Sequence, residues 1–229
     1  MGFNEKVHAY IAGKYYQHLK EEFGDRGVRA FIHGTQYYAM QRGRRMAQRA
    51  IRDGEELTQA TYNYYGEWVN TEDIKQAGCQ NKMCMTEDGK LKITQCPWYT
   101  QFQEMGLPEA GRVYCDHLDN SISRGFNPYL EYVVDQTLHH EGSDCCIHWT
   151  RNANIGEGSS RGKKPEQLRD FEYHCAHSYW AYNEVVGAIF LQEGARVNQM
   201  VLEDFASDYG KEMADILYSY RDHNFNVCD

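Results

Sequence analysis

The chain has 229 residues, of which 41% are hydrophobic and 25% charged, a balance typical of one compact globular domain. Its 24 Lys and Arg residues face 33 Asp and Glu residues, so the formal net charge of −9 argues against binding to a nucleic-acid backbone. The sequence shows no signal-peptide pattern and no run of eighteen apolar residues. We therefore expect a cytoplasmic protein that binds neither nucleic acid nor membrane, with its eight cysteines reduced.

Two helices are predicted at the N-terminus. Apolar residues recur at three- and four-residue steps over residues 5–24, which indicates an amphipathic helix that ends at Gly24. A second helix is predicted over residues 27–52. It contains the only dense positive cluster of the chain, Arg42-Gly-Arg-Arg45. We interpret this cluster as a solvated helix face rather than an anion site, and in both interpretations it lies away from the chemistry.

The next elements are shorter. Residues 54–76 are expected to form a short helix that leads into a strand. Residues 78–96 predict a hairpin, because Glu87-Asp-Gly-Lys90 places Asp-Gly between alternating residues. Residues 96–106 predict a helix that begins with a proline in its first turn and ends at a glycine.

A longer helix and a second hairpin follow. Residues 111–124 are predicted to be helical, and the helix ends before Asn127-Pro128, since the residue before proline prefers an extended backbone. Residues 129–138 and 144–150 are rich in strand-forming types and flank Glu141-Gly142-Ser143, which predicts a hairpin.

The C-terminal third of the chain is predicted to be helical. Residues 152–164 are rich in glycine and serine and predict a flexible connector or an active-site lid. A helix is expected to begin at Pro165, with the helical pattern continuing to Tyr220 and interruptions near Gly194 and Gly210. The fold class is therefore α+β, a small antiparallel sheet with helices at both chain ends. We expect a single domain in which residues 1–70 are helical, residues 71–151 form the sheet and carry the site, and residues 165–229 are helical again.

Thiols, carboxylates and imidazoles concentrate around the second predicted hairpin. Cys115 and Asp119 are four residues apart on a predicted helix and share a face. On the following strand, Asp144, Cys146 and His148 alternate onto one face. Nucleophilic and metal-assisted hydrolysis both use these side chains, so the stretch is a candidate active site. The alternatives are an inert, buried Cys115 thiol and an outer sheet surface.

A histidine pair forms the second constellation. His174 and His177 are three residues apart on a helix and point the same way, which is compatible with Zn or Fe if Cys115 or another group completes the ligand set. Packing in a wet cavity is the alternative, and His177 could also serve as the general base for a cysteine. No cofactor follows with certainty from the sequence.

Further polar residues are candidates for binding a small-molecule substrate: Tyr99, Asn127, Asp144 and Tyr173. The chain contains 18 tyrosines, whose rings bury area while their hydroxyls need partners, so half-wet cavities and subunit interfaces are expected. The tyrosine-rich helices suggest a homo-oligomer.

Taken together, these motifs resemble the L-2-amino-thiazoline-4-carboxylic acid hydrolase family. Its members carry a helix-borne cysteine with an acid four residues on, a Phe-x-Pro turn, and a hairpin that ends near Gly-x-x-Cys. The corresponding segments here are Cys115-Asp-His-Leu-Asp119, Phe126-Asn-Pro128 and Gly142-Ser-Asp-Cys-Cys-Ile-His148. The chain departs from the pattern where His148 replaces an aromatic residue and where Cys145-Cys146 is doubled. We match Cys146 to the family cysteine.

The resemblance implies a hydrolase that opens a C–N or C–S bond in a small cyclic amidine-like or amide-like compound of the thiazoline-carboxylate type. In one mechanism Cys115 attacks the ring carbon, His148 or His177 moves protons, and Asp119 orients a ring or the substrate. In the other, a bound metal activates water. A non-hydrolytic isomerase or lyase, and a thiol- or metal-based ligand-binding sensor, are the alternative functions.

Overall fold

The computed structural model of the chain describes residues 2–152 and 161–228. Its helices and strands, in chain order, are α1 (Glu5–Arg52), α2 (Gln59–Tyr64), α3 (Glu72–Gln76), β1 (Lys82–Met85), β2 (Leu91–Gln95), α4 (Pro97–Glu104), α5 (Pro108–Phe126), β3 (Tyr132–Gln136), β4 (Cys146–Thr150), α6 (Phe171–Tyr209) and α7 (Lys211–Ser219). The strands form one antiparallel sheet, and helices lie at both chain ends. The predicted α+β class is therefore confirmed.

The long helices α1 and α6 are each interrupted by one sharp kink. In α1 the kink lies at Gly24 (φ 54°, ψ −132°), where the sequence predicts the end of the first helix. In α6 it lies at Leu191 (φ 52°, ψ −119°), three residues before the predicted interruption at Gly194. The rings of Phe23 and Phe190, one residue before each kink, stack with their centroids 3.8 Å apart. The two kinks thus meet in the folded chain.

The core lies where α1 packs against α5 and α6. Tyr15, Phe31 and Tyr182 are fully buried there and stack on one another. Helices α1 and α5 approach closely at Gly43 and Gly125, where a methyl group on either glycine would overlap the backbone of the other helix. Glycine is required at such a crossing because it has no Cβ. The close approach brings the second half of α1 beside the face of α5 that carries the candidate site.

The sheet has the strand order β1-β2-β4-β3. The two predicted hairpins pair through β2 and β4, with Ile93 opposite Cys146 and Leu91 opposite His148. Strand β4 is therefore central, and its residues Cys146 and His148 are both buried. Side chains alternate along a strand, so these two point to the same face of the sheet, the one covered by α5.

Two segments differ from the prediction. Residues 54–76 contain α2 and α3 and no strand, because Thr58 and Thr71 each begin a short helix as its N-cap. Pro165 begins only one 3₁₀ turn, Pro165–Gln167, and α6 starts after Asp170, whose side chain accepts a hydrogen bond from the Tyr173 amide at 2.9 Å. Residues 153–160, within the predicted connector, lie outside the described residues.

None of the helices in residues 2–152 and 161–228 is both long and apolar enough to cross a bilayer. The cytoplasmic location, the homo-oligomer and the single-domain division stay predictions.

Candidate active site

A carboxylate on α5 faces the buried side of β4. Asp119 Oδ2 lies 3.7 Å from Nδ1 of His148, and the same nitrogen lies 3.0 Å from the hydroxyl of Tyr132 on the neighbouring strand. Cys115 stands one helical turn before Asp119, as the i, i+4 spacing predicts. Helix α5 and the hairpin β3-β4 therefore place Asp119 near both Cys115 and His148.

Three thiols surround this carboxylate: Cys115 and Cys146, which the sequence indicates, and Cys96, which precedes α4. Burial raises the pKa of Cys115 well above its ordinary range, and the nearby Cys96, Cys146 and Asp119 raise it further. Burial is also the main cause that raises the pKa of Cys96 to about 11 and that of Cys146 to about 12, with Asp119 adding to both. All three thiols are protonated at neutral pH, so a reaction at sulfur needs a base beside it.

The His148 imidazole is placed to move a proton. Burial lowers the pKa of His148, while Asp119 and Asp135 oppose this effect, so the ring is neutral at pH 7. Its buried Nε2 has no hydrogen-bond partner among residues 2–152 and 161–228. The ring lines a cleft of about 640 Å³. Tyr62, Tyr132 and Lys163 are also in its wall. A small ligand in this cleft can reach the histidine.

Two tyrosines in the cleft wall are affected by the Asp119 carboxylate, and one of them also by an arginine of helix α1. Burial raises the pKa of Tyr62, the nearby Asp119 adds to this rise, and Arg42 opposes it. Burial likewise raises the pKa of Tyr132, again with a contribution from Asp119. Tyr62, in the wall of the cleft, is therefore within electrostatic range of a negative group on α5 and a positive group on α1.

The four candidate substrate-binding residues have other surroundings. The exposed Asp144 lies before β4 and interacts with Cys145 instead of alternating with Cys146, because the strand begins only at Cys146. The side-chain amide of Asn127 donates to the Leu57 carbonyl at 2.7 Å, and its oxygen accepts from the Tyr129 amide at 2.9 Å. Asn127 therefore stabilises the turn after α5.

The remaining two are tyrosines. Tyr99 is half-buried, with its ring centroid 4.8 Å from that of His139, and its backbone amide bonds to Cys96. Tyr99 thus lies beside the Cys96 thiol. Tyr173 is buried against Phe225 and His223, near the C-terminus of the chain, where it covers the imidazoles of α6.

The α6 histidines point into a buried polar network rather than towards the thiols. His177 Nε2 lies 2.8 Å from the side-chain oxygen of Gln41, and its ring contacts the guanidinium of Arg45. His174 Nε2 lies 3.2 Å from the Glu67 carbonyl. Burial, aided by neighbouring arginines, lowers the pKa of His174 to about 3 and that of His177 well below its ordinary range. The contacts of His177 do not support its role as the base for Cys115.

The predicted metal donors do not fit a metal ion. Within the described ranges, no three His, Cys, Asp or Glu side chains come together as a ligand set. His174 and His177 lie beside Arg42 and Arg45, whose positive charges would repel Zn²⁺ or Fe²⁺. A Zn or Fe cofactor stays a prediction, and these contacts assign it no residues.

The interpretation of Arg42-Gly-Arg-Arg45 as a solvated face is wrong. Arg42, Arg45 and Arg49 are all buried and surround Glu67, which is fully inaccessible. Burial alone would raise the pKa of Glu67, but the adjacent Arg45 and Arg42 and the His174 ring lower it to about 2. The physical reason is packing, because α1 is covered on two sides by α5 and α6, so that Arg42, Arg45 and Arg49 face inward while Arg44 is exposed.

Sequence reasoning misses four groups at this site. The pattern around Cys96 indicates only the start of a helix, although Cys96-Pro97 fixes its thiol at the N-terminus of α4. Tyr62 and Tyr132 have no signal beyond the general abundance of tyrosine. Lys163 follows a glycine-rich segment that shows no periodicity.

A comparison with family models gives one match. The model described as L-2-amino-thiazoline-4-carboxylic acid hydrolase matches residues 4–159 of this chain. The matched span contains Cys96, Cys115, Asp119, Cys146 and His148, and it ends before α6 with His174 and His177. No curated protein and no solved structure matches the chain.

Proposed function

Because the chain belongs to the L-2-amino-thiazoline-4-carboxylic acid hydrolase family, we propose that it hydrolyses a C–N bond of a small cyclic amidine of the thiazoline-carboxylate type, using Cys115 as the nucleophile. The family name denotes a hydrolase. The observation that supports the proposal here is the approach of Asp119 to His148, 3.7 Å, next to the thiol of Cys115. A thiol, a carboxylate and a neutral imidazole are the groups that such a reaction needs.

The first step is attack by sulfur on the ring carbon that bears the amino group. Asp119, with His148, takes the thiol proton as the C–S bond forms, because Cys115 is protonated at rest. The electron pair of the C=N bond moves to the ring nitrogen, which accepts a proton. The lone pair of the amino nitrogen then forms a C=N bond to this carbon while the bond from the carbon to the ring nitrogen breaks. A proton passes from the amino nitrogen to the departing ring nitrogen, so the ring opens and the carbon stays attached to Cys115.

The second step is hydrolysis of the covalent intermediate. Water adds to the same carbon, and the carbon–Sγ bond breaks. The thiol of Cys115 recovers its proton, so the net change is addition of one water across the C–N bond. His148 suits both proton transfers, since its buried Nε2 has no hydrogen-bond partner in the described part of the chain and the residue lines the cleft.

The test measures consumption of 2-amino-2-thiazoline-4-carboxylate by the purified protein. Cys115→Ser should lower the turnover number by at least about 10³-fold with the fold intact, because serine is a much weaker nucleophile. Mass spectrometry after rapid acid quenching should find an adduct on Cys115 in the wild-type chain. Cys84→Ser is the matched control, because Cys84 is an exposed thiol on β1.

Near-normal turnover of Cys115→Ser would remove the nucleophile assignment. Cys146→Ser and Cys96→Ser, tested in parallel, then identify whether a neighbouring thiol carries the adduct.

A further inference from the structure

The buried arginine cluster contains more positive than negative charge. Arg45 donates from Nε to Glu67 Oε1 at 3.1 Å and from Nη2 to Oε2 at 2.9 Å, and Arg49 donates from Nη1 to Oε1 at 2.6 Å. Both carboxylate oxygens of Glu67 are therefore occupied. No other carboxylate of the described residues forms an ion pair with Arg42, Arg45 or Arg49. Three guanidinium groups share one acid.

Arg42 is the arginine that forms an ion pair with this acid but no hydrogen bond to it. Its Nε lies 3.6 Å from Glu67 Oε2, beyond hydrogen-bond distance, and has no hydrogen-bond partner in residues 2–152 and 161–228. Only 8% of the residue is exposed. Glu67 alone does not balance three buried positive charges, so a second anion is expected at this guanidinium.

The neighbouring imidazoles do not supply that anion. His8 and His174 lie near Arg42. Burial lowers the pKa of both imidazoles, and the positive charge of Arg42 lowers it further. They are neutral at pH 7, and a neutral imidazole does not balance a guanidinium. Arg42 therefore lies near neutral rings and a carboxylate that two other arginines already bind.

A second positive group stands at the cleft beside Arg42. Lys163 lines the cleft, and its ammonium lies over Gly66, where a methyl group would overlap it. Its side chain as a whole is exposed, but desolvation of the ammonium and the nearby Arg42 lower the pKa of Lys163 to about 8. Asp119 lies beside His148, another residue of the cleft wall, and Asp119 and Arg42 act with opposite sign on Tyr62 in that wall. The site therefore has a positive end and a negative end.

We propose that Arg42 and Lys163 bind the carboxylate of the substrate, and that the opposite polarity of Arg42 and Asp119 selects zwitterionic rings, with the amidinium towards Asp119 and the carboxylate towards Arg42. The assignment rests on the proposed function for the identity of the ring. A guanidinium is well suited to a carboxylate because its N–H groups form a planar fork. Placing the amidinium towards Asp119 also brings the reacting carbon to the side of Cys115.

The experiment measures binding by titration calorimetry in a Cys115→Ser background, where turnover does not interfere. The two probes are 2-amino-2-thiazoline-4-carboxylate and 2-amino-2-thiazoline, which lacks the carboxylate. Arg42→Gln should weaken binding of the first probe on the order of 100-fold, since it removes one partner of a buried charge pair. It should change binding of the second probe by less than about threefold.

Two further variants and one control complete the series. Arg42→Lys keeps the charge without the fork and should show an intermediate loss, and Lys163→Gln should weaken only the carboxylate probe, by about tenfold. Arg44→Gln is the matched control, because Arg44 lies on the same helix but is exposed, and it should leave both affinities unchanged. Circular dichroism and thermal melting report whether each variant folds. If Arg42→Gln does not fold, the affinities of Arg42→Lys and Lys163→Gln for the two probes test the assignment instead.

Equal loss for both probes, unchanged affinity in all Arg42 and Lys163 variants, or no binding of the carboxylate probe would each overturn the assignment. Turnover by the wild-type chain with a carboxylate affinity independent of Arg42 would refute this inference and leave the hydrolase intact. Binding of the carboxylate through Arg42 without turnover would refute the proposed function and leave the binding site standing.

Discussion

The imidazole of His148 lies 3.7 Å from the Asp119 carboxylate, and this acid is also close enough to raise the pKa of Cys96, Cys115 and Cys146. The same carboxylate thus has two opposite effects on a reaction at sulfur. Its charge disfavours a resting thiolate, and its basicity assists removal of the thiol proton during attack. The two effects can be separated by experiment.

Replacing the acid by its amide tests this separation. Asp119→Asn removes a negative charge, so the pKa of Cys115 should fall and its alkylation by iodoacetamide at pH 8 should become faster. Turnover should nevertheless decrease by about 10²-fold or more, the usual loss when a general base is removed. The pH dependence of alkylation, read for each cysteine by peptide mass spectrometry, gives the first quantity, and steady-state kinetics gives the second.

Asp116→Asn is the control for this variant. Asp116 lies on the same helix and forms an ion pair with Arg112 at 3.2 Å. It contributes to the raised pKa of Cys115, as Asp119 does. Unlike Asp119, it is not among the groups that raise the pKa of Cys96 or Cys146. It should leave turnover within about threefold of the wild type. Faster turnover in Asp119→Asn, together with faster alkylation, would show that the carboxylate is not the base.

The pKa of Lys163, about 8, predicts how substrate affinity depends on pH. Lysine is charged below its pKa and neutral above it, so KM for a carboxylate-bearing ring should rise as the pH passes from 7 to 9. With a pKa near 8, about a tenth of the ammonium groups remain charged at pH 9. The ratio of KM between Lys163→Gln and the wild type should therefore fall towards one over this range. Because both proteins meet the same substrate ionisation, a constant ratio would contradict the prediction.

Glu67 should be essential for stability. Glu67→Gln keeps one acceptor oxygen but removes the negative charge, so Arg45 and Arg49 stay buried without a counter-charge, which should lower the free energy of unfolding by about 3–5 kcal/mol. Since the pKa of Glu67 falls from 4.5 to about 2 in the folded chain, its stabilisation is present above pH 4.5 and is lost as the pH falls towards 2. Urea unfolding at pH 7 and pH 3 measures both effects. The exposed Glu166→Gln is the control and should change the free energy by less than about 0.5 kcal/mol.

Two glycine substitutions, one at the crossing of α1 and α5 and one away from it, test how much stability depends on that crossing. Gly43→Ala adds a methyl group that overlaps the Ile122 carbonyl, so it should destabilise the fold by about 2 kcal/mol or more. Gly187 lies in α6, and a methyl group added there would be 3.8 Å from its nearest neighbour, the Asn198 side chain. Gly187→Ala should therefore stabilise the helix by about 0.5–1 kcal/mol. Thermal unfolding of the pair should shift in opposite directions. A loss of similar size in both would mean that the crossing is not the cause.

Periodicity and turn residues are enough to predict most of the elements. The hairpin around Gly89, the helix begun by Pro97 and the break at Gly24 all follow from local rules on proline and positive φ. The kink at Leu191 could not be predicted, because leucine rarely adopts a φ of 52° and tertiary packing decides there. In residues 54–76 the side chain of Thr58 accepts a hydrogen bond from the Thr61 amide, and this helix cap competes with β propensity.

For the site, spacing along one element is more informative than composition. The i, i+4 relation of Cys115 and Asp119 is confirmed, whereas the predicted placement of Asp144 on the face of Cys146 is wrong because the strand begins only at Cys146. The burial of Arg42 could not be predicted, since no pattern within α1 shows which helices will cover it. Partners distant in sequence, such as Glu67, decide whether a basic cluster is solvated or enclosed.

The packing of α1 against α6 has a consequence for how the chain acquires its structure. Tyr15 and Phe31 stack on Tyr182, far along the chain, so these rings stay uncovered until the distal helix has been synthesised. Contacts between residues far apart in the sequence form slowly, and until they form a partly folded chain exposes hydrophobic surface that favours aggregation. The family match ends at residue 159, and a polypeptide truncated there would keep Cys115 and His148 yet lose the lining of its interior, so we expect it to accumulate as insoluble aggregate.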